Sequence, residues 1–160
     1  MIIEDLDYHV FLRIFDTFSD AGLDHIDPGD PLLIEVQRIM ELNKQFFCFG
    51  DGILLDMCFV SMGVVGFYGF DPETVTFGKC LTTTHPDDLD RRILVRSKLL
   101  NIANILYSKK TGIGIISTNF RCRTRLGDYA NILHQAFLFY SELPYESVFI
   151  IMVQTDISDF

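Results

Sequence analysis

The 160 residues include no tryptophan, and the four cysteines (Cys48, Cys58, Cys80, Cys122) form no CxxC pair and no zinc spacing. Positive charge is scarce as well: 13 Lys and Arg against 22 Asp and Glu give a net charge of −9. So acidic a segment is not built to grip phosphate backbones, and any nucleic-acid contact would have to be made by something outside it. No apolar run approaches the roughly 20 residues that span a bilayer. The start, Met1-Ile2-Ile3-Glu4-Asp5, lacks the basic and apolar regions of a signal peptide. Scattered thiols without a leader fit a reduced, cytoplasmic protein that does not contact membrane.

What is abundant is hydrocarbon. Apolar residues make up 49% and aromatics 13%, with Phe occurring 15 times, so the chain is not disordered. A length of 160 residues suffices for one domain, or one domain with an appendage, to bury a core. The phenyl rings are expected to wall that core or a cavity within it.

Periodicity places the elements. Leu6, Val10, Ile14 and Phe18 recur at four-residue spacing over 4–18, with Phe11 and Phe15 beside them, and predict an amphipathic helix ended near Gly22. A second helix carries Leu32, Leu33, Val36, Ile39, Met40 and Leu42. Residues 1–44 therefore read as an N-terminal helical extension, and 45–158 as the main domain. In the latter, 45–49 and 53–59 are strands around Gly50-Asp51-Gly52, a hairpin signal. Short helical turns are expected over 61–68 and 72–77, then a long helix over 87–108 with Val95, Leu99, Ile102 and Leu106 on one stripe. Pro86 fits its first turn, and Asp87 and Asp88 complement its dipole.

Three strands close the chain, at 116–124, 129–140 and 146–157. In the last, Phe149, Ile151 and Val153 alternate with Val148, Ile150 and Met152, so both faces are apolar. That is the signature of a central strand covered on both sides. The order predicts an α+β fold: a five-stranded antiparallel sheet with helices on one face.

Two motifs and an ending then point to a family. Gly69-Phe70-Asp71-Pro72-Glu73 is similar to the Gly-Tyr-x-Pro-Glu of PAS domains, and His85-Pro86-Asp87-Asp88 to their His-Pro-Asp-Asp. Val153-Gln154-Thr155-Asp156-Ile157-Ser158 resembles the Asp-Ile-Thr ending of the last PAS strand. The resemblance covers roughly 45–158 and implies a sheet order 2-1-5-4-3. It also implies a cavity between the sheet and the helices, at positions matching Phe47, Phe49, Met57, Phe67, Cys80, Leu99, Phe120, His134 and Phe137. A small-molecule ligand there is set against the alternative that these side chains simply fill the core.

Other chemistries find less support. His85, ahead of Pro86, reads as a helix-start residue bonding local backbone, and no second ligand lies at metal spacing. Haem-binding PAS domains take their iron ligand from the long helix, and 89–107 contains no His, Cys or Met. Flavin photochemistry needs an Asn-Cys-Arg-Phe-Leu-Gln motif, whereas Cys80 follows Lys79 and lacks the arginine and glutamine. A Cys122–His134 hydrolase, with Asp128 in the intervening turn, requires a geometry that nothing in the spacing forces. No catalytic and no metal residue is assigned.

The sequence therefore predicts a non-enzymatic, cytoplasmic sensory domain. The chain ends at Phe160, shortly after the last strand, where such modules hand over to an output segment. An N-terminal extension with one PAS resembles the signal-input part of bacterial LuxR-type helix-turn-helix transcriptional regulators; a sensor kinase or cyclase would use the same module. The other reading is a ligand-free dimerisation or protein-interaction module. A homodimer is expected through Phe11, Phe15, Leu33 and Val36.

Overall fold

The computed structural model describes residues 27–54, 56–142 and 145–160. The helix expected over 4–18, with Phe11 and Phe15, lies outside them. Helix α1 (Pro31–Leu42) starts where Asp30 caps it, its carboxylate accepting from Leu32 N at 2.8 Å, with Pro31 at the first position. Strands β1 (Gln45–Asp51) and β2 (Asp56–Val60) pair antiparallel. Strand β2 begins three residues later than the hairpin signal implies. Asp51 Oδ1 accepts from both Ile53 N and Leu54 N at 2.8 Å, which widens the turn.

Helix α2 (Gly63–Tyr68) ends at Gly69, whose φ of +72° is a left-handed cap that suits glycine. The short helical turn expected over 72–77 is a 3-10 turn (Pro72–Thr74), split from a further helix, α3 (Phe77–Leu81). The split arises because Thr76 Oγ1 accepts from Lys79 N and starts a new helix. A second 3-10 turn, Pro86–Asp88, leads into α4 (Leu89–Lys109). Strands β3 (Ile113–Arg123), β4 (Tyr129–Ser141) and β5 (Ser147–Asp156) complete a five-stranded sheet of order β2-β1-β5-β4-β3. Strand β5 lies in the centre, paired with β1 and β4, as its two apolar faces require. Among the described residues no helix is long and apolar enough to cross a membrane.

The sheet is covered on both faces. On one, α1 packs Leu33, Val36 and Met40 against Phe47, Phe49, Phe149, Ile151 and Val153. On the other, α4 lays Leu99, Ala103 and Leu106 over Cys48, Ala136, Leu138, Ile150 and Met152. This corrects the interface expected from Leu33 and Val36. Both are buried inside the chain, where an apolar stripe finds a partner face without a second subunit.

The His-Pro-Asp-Asp turn is a fastening between α4 and β3. His85 Nδ1 accepts from Asp87 N, the helix-start role expected of it. Buried Asp88 accepts from Arg121 N and Arg121 Nε, both at 2.8 Å, and Arg91 lies 3.1 Å away. Arg121, donating to it, holds the Asp88 carboxyl at about 2, below its ordinary 3.8. Its contribution to stability is thus complete above pH 3.8 and is lost as pH falls through 2. Asp88→Ala should cost about 1–3 kcal/mol by chemical denaturation at pH 7, since it strands the Arg121 N–H and removes a charge-assisted pair. An unchanged midpoint would show that the turn does not fasten the helix.

Candidate ligand-binding site

Alternation along the strands decides which side chains face α4. Register pairs Phe46 with Gln154 and Gln154 with His134, while Cys48 lies opposite Met152. Those rows face the helices, together with Phe120 from β3. Above them stand Val64 of α2, Val75, Phe77, Cys80 and Leu81 around α3, and Arg92, Val95, Arg96 and Leu99 of α4. Between the layers is a cavity of about 60 Å³. That is room for roughly four or five waters, or a molecule of a few heavy atoms.

The residues expected here divide cleanly. Met57, Cys80, Leu99, Phe120 and His134 line the cavity. Phe67 packs with the cluster beside it, its ring 5.7 Å from that of Phe46, but does not form its wall. Phe47, Phe49 and Phe137 are on the opposite face of the sheet, in or against the cluster beneath α1. Strand β1 is apolar on both faces (Phe46, Phe47, Cys48, Phe49), so its sequence carries no phase. The residues of β1 that face the cavity are Phe46 and Cys48.

The polar groups of the cavity are few and unusual. Arg92 is only 8% exposed. Its Nη1 donates to Cys80 O at 2.8 Å, to Thr84 Oγ1 at 2.6 Å and to Cys122 Sγ at 3.4 Å. The guanidinium stands 4.3 Å over the Phe120 ring. None of these partners is a carboxylate, and among the described residues none lies within ion-pair distance. Burying an ion without a counter-ion costs several kcal/mol, and here hydrogen bonds and a cation–π contact, not an opposite charge, offset it.

His134 faces the same ring, centroid to centroid at 5.6 Å, and is 7% exposed. Among the described residues its Nδ1 has no hydrogen-bond partner. Burial first and Arg92 second push its pKa from 6.5 down to about 3, so it is neutral at pH 7. Next to it, Tyr68 OH donates to Gln154 Oε1 at 2.9 Å, and burial drives that phenol's pKa upward. Burial likewise pushes the Cys48 and Cys80 thiols up, which keeps them protonated and unreactive.

The Cys122–His134 pairing does not form. Cys122 lies opposite Ala130, four residues along β4 from His134, a separation of roughly 13 Å. Among the described residues no cluster of His, Cys, Asp or Glu could hold a metal.

Arg92 is not among the cavity residues that the sequence predicts. Its phase was the available signal. Positions 92, 95, 99 and 106 follow one face at helical spacing, so an arginine there points where the leucines point.

No family model matches the sequence, and no curated protein matches it. Solved structures do match in fold. The PAS domain of a protein from Colwellia psychrerythraea superposes with a TM-score of 0.51 at 14% identity, over 81% of this chain and 99% of that one. The N-terminal domain of a diguanylate cyclase with PAS/PAC sensor from Marinobacter aquaeolei gives 0.51 at 15% identity, over 72% and 96%. A sensory box histidine kinase/response regulator from Burkholderia thailandensis gives 0.51 at 18%, over 78% and 86%. Sheet order, the position of the last strand and these superpositions agree: the chain has the PAS fold.

Proposed function

We propose that the chain is a non-enzymatic signal-input domain that reads a small molecule in the cavity between β1, β5, β4, β3 and α4. The observation that carries this reading is the cavity itself, walled by hydrocarbon yet holding a buried arginine and an unpartnered histidine nitrogen. A core made only to be filled has no use for either group. In this mechanism, occupancy changes how α4 sits on the sheet. The central strand β5, touching both covering layers, passes the change on to an output segment. We assign the domain to the input side of a cytoplasmic, homodimeric regulator, with a LuxR-type helix-turn-helix as the output that the resemblance favours. Two of the structural neighbours are named as a cyclase and a kinase with sensor modules, which makes those outputs the competing arrangements.

The other reading, an assembly module, draws on α1. Its outer face exposes Leu32, Ile34, Ile39 and Leu42, while its inner face is spent on the sheet. Thermal-shift screening of small metabolites separates the two. Sensing predicts at least one compound that raises Tm saturably. A chain that responds to none, and is a tight dimer throughout, is an assembly module.

A further inference from the structure

We propose that the cavity receives a short-chain monocarboxylate, with its carboxylate on Arg92 and its tail among Val64, Val75, Leu99 and Met152. This rests on the reading of the domain as a small-molecule sensor and specifies the chemistry of what it senses.

Charge comes first. The protein carries nine net negative charges, yet among the described residues none that lines the cavity is acidic, and two arginines, Arg92 and Arg96, line it. All three of Arg92's donations leave through Nη1, to a carbonyl, a hydroxyl and a sulfur. The rest of the guanidinium fork has no acceptor among the described residues. A carboxylate is the group whose two oxygens match that fork.

A second, independent group points to the same place. His134 is more than nine-tenths buried and lines the cavity with Nδ1 unpartnered. It and Arg92 meet on one Phe120 ring, at 5.6 Å and 4.3 Å. In the Nδ1–H tautomer the imidazole donates to a lone pair that the guanidinium fork leaves open on one carboxylate oxygen. Arg92 is buried while Arg96 is partly exposed and keeps water, so one guanidinium is left to be balanced inside, which selects a monoanion. The volume of about 60 Å³ sets the size at a few heavy atoms. Walls of Val, Leu, Met and Phe reject a bare hydrated ion and hold a short alkyl tail.

The test uses the whole chain and three probes at matched ionic strength: sodium propionate, propionamide and sodium chloride. Propionate at about ten times its Kd should raise Tm by about 3–6 °C and saturate. Propionamide, the same shape without the charge, and chloride should do nothing comparable. Arg92→Gln should weaken propionate binding at least tenfold, as the loss of a charged hydrogen-bond donor predicts. If R92Q does not fold, propionate against propionamide on the unmodified protein decides alone. Equal binding of the two overturns the charge assignment and leaves the sensor reading intact. No saturable response to propionate overturns the proposal outright, and the metabolite screen then judges the sensor reading separately.

Discussion

Phe47→Ala should lower stability by about 3–5 kcal/mol, a fall in Tm of roughly 6–20 °C for a domain of this size. Phe47 is wholly inaccessible to solvent. Its ring lies 5.2 Å from that of Phe49 and 5.7 Å from that of Phe59, under Leu33, Val36 and Met40. Truncation removes the transfer energy of a phenyl ring and leaves a hole between a helix and a sheet. A single layer cannot collapse to fill it, because β1 is held on both edges by β2 and β5. Leu42→Ala on the same helix, at a position 72% exposed, is the control and should change stability by no more than about 0.5 kcal/mol. Denaturant midpoints measure both. Equal, small effects would mean that α1 does not pack on this face. The variant also distinguishes the two sides of the sheet, since it should leave ligand response in the remaining folded protein unaltered.

The second large effect is in pH. Unfolding releases His134 from a site where its pKa is about 3 to water, where it is 6.5. Between those values the unfolded chain binds the extra proton, so stability from this group is complete above pH 6.5 and falls as the solution is acidified. From pH 7 to pH 5 the loss is about 2 kcal/mol, approaching about 1.4 kcal/mol per pH unit. Arg92 is the charge that faces the imidazole and sharpens the effect; desolvation is the greater cause. The direction is opposite to protection by a paired histidine, which would strengthen the fold on acidification. His134→Leu keeps volume and removes the titration. Its stability at pH 7 should stay within about 1.5 kcal/mol of the parent, and its curve from pH 7 to pH 5 should be flatter by that 2 kcal/mol. Other histidines cancel in the difference. Parallel curves would mean that the imidazole is hydrated in the folded state.

Legibility in the sequence followed how strongly each feature constrains its neighbours. The central place of β5 could be read from six consecutive apolar residues, Val148 to Val153, because only a strand covered on both sides tolerates them. The start of α4 could be read from His85-Pro86-Asp87-Asp88, where each residue has a separate chemical reason to be there. The two-sided strand β1 was unreadable for the same reason that β5 was readable. When both faces are apolar, period-two alternation cannot say which ring faces which layer, and a one-residue error moves every side chain across the sheet. Phe47 and Phe49 cannot be phased for that reason, whereas Phe137 can: it stands three residues from His134 on β4, an odd step that places it on the other face. Arg92 was hidden by its charge, since a buried unpaired arginine runs against the usual sorting of residues. Local chemistry also shortens the helical turn expected over 72–77 to Pro72–Thr74 and starts a further helix after it, through the Thr76 hydroxyl.

Sensing requires a space between sheet and helices that a small molecule can enter. Methyl NMR of the compounds that raise Tm tests it directly. Bound compounds should shift the methyl resonances of Val64, Val75, Leu99 and Met152 together, and leave those of Leu33, Val36 and Val153 beneath α1 in place. Compounds that perturb only the α1 side, or stabilise the chain without moving any of those four methyls, would contradict it.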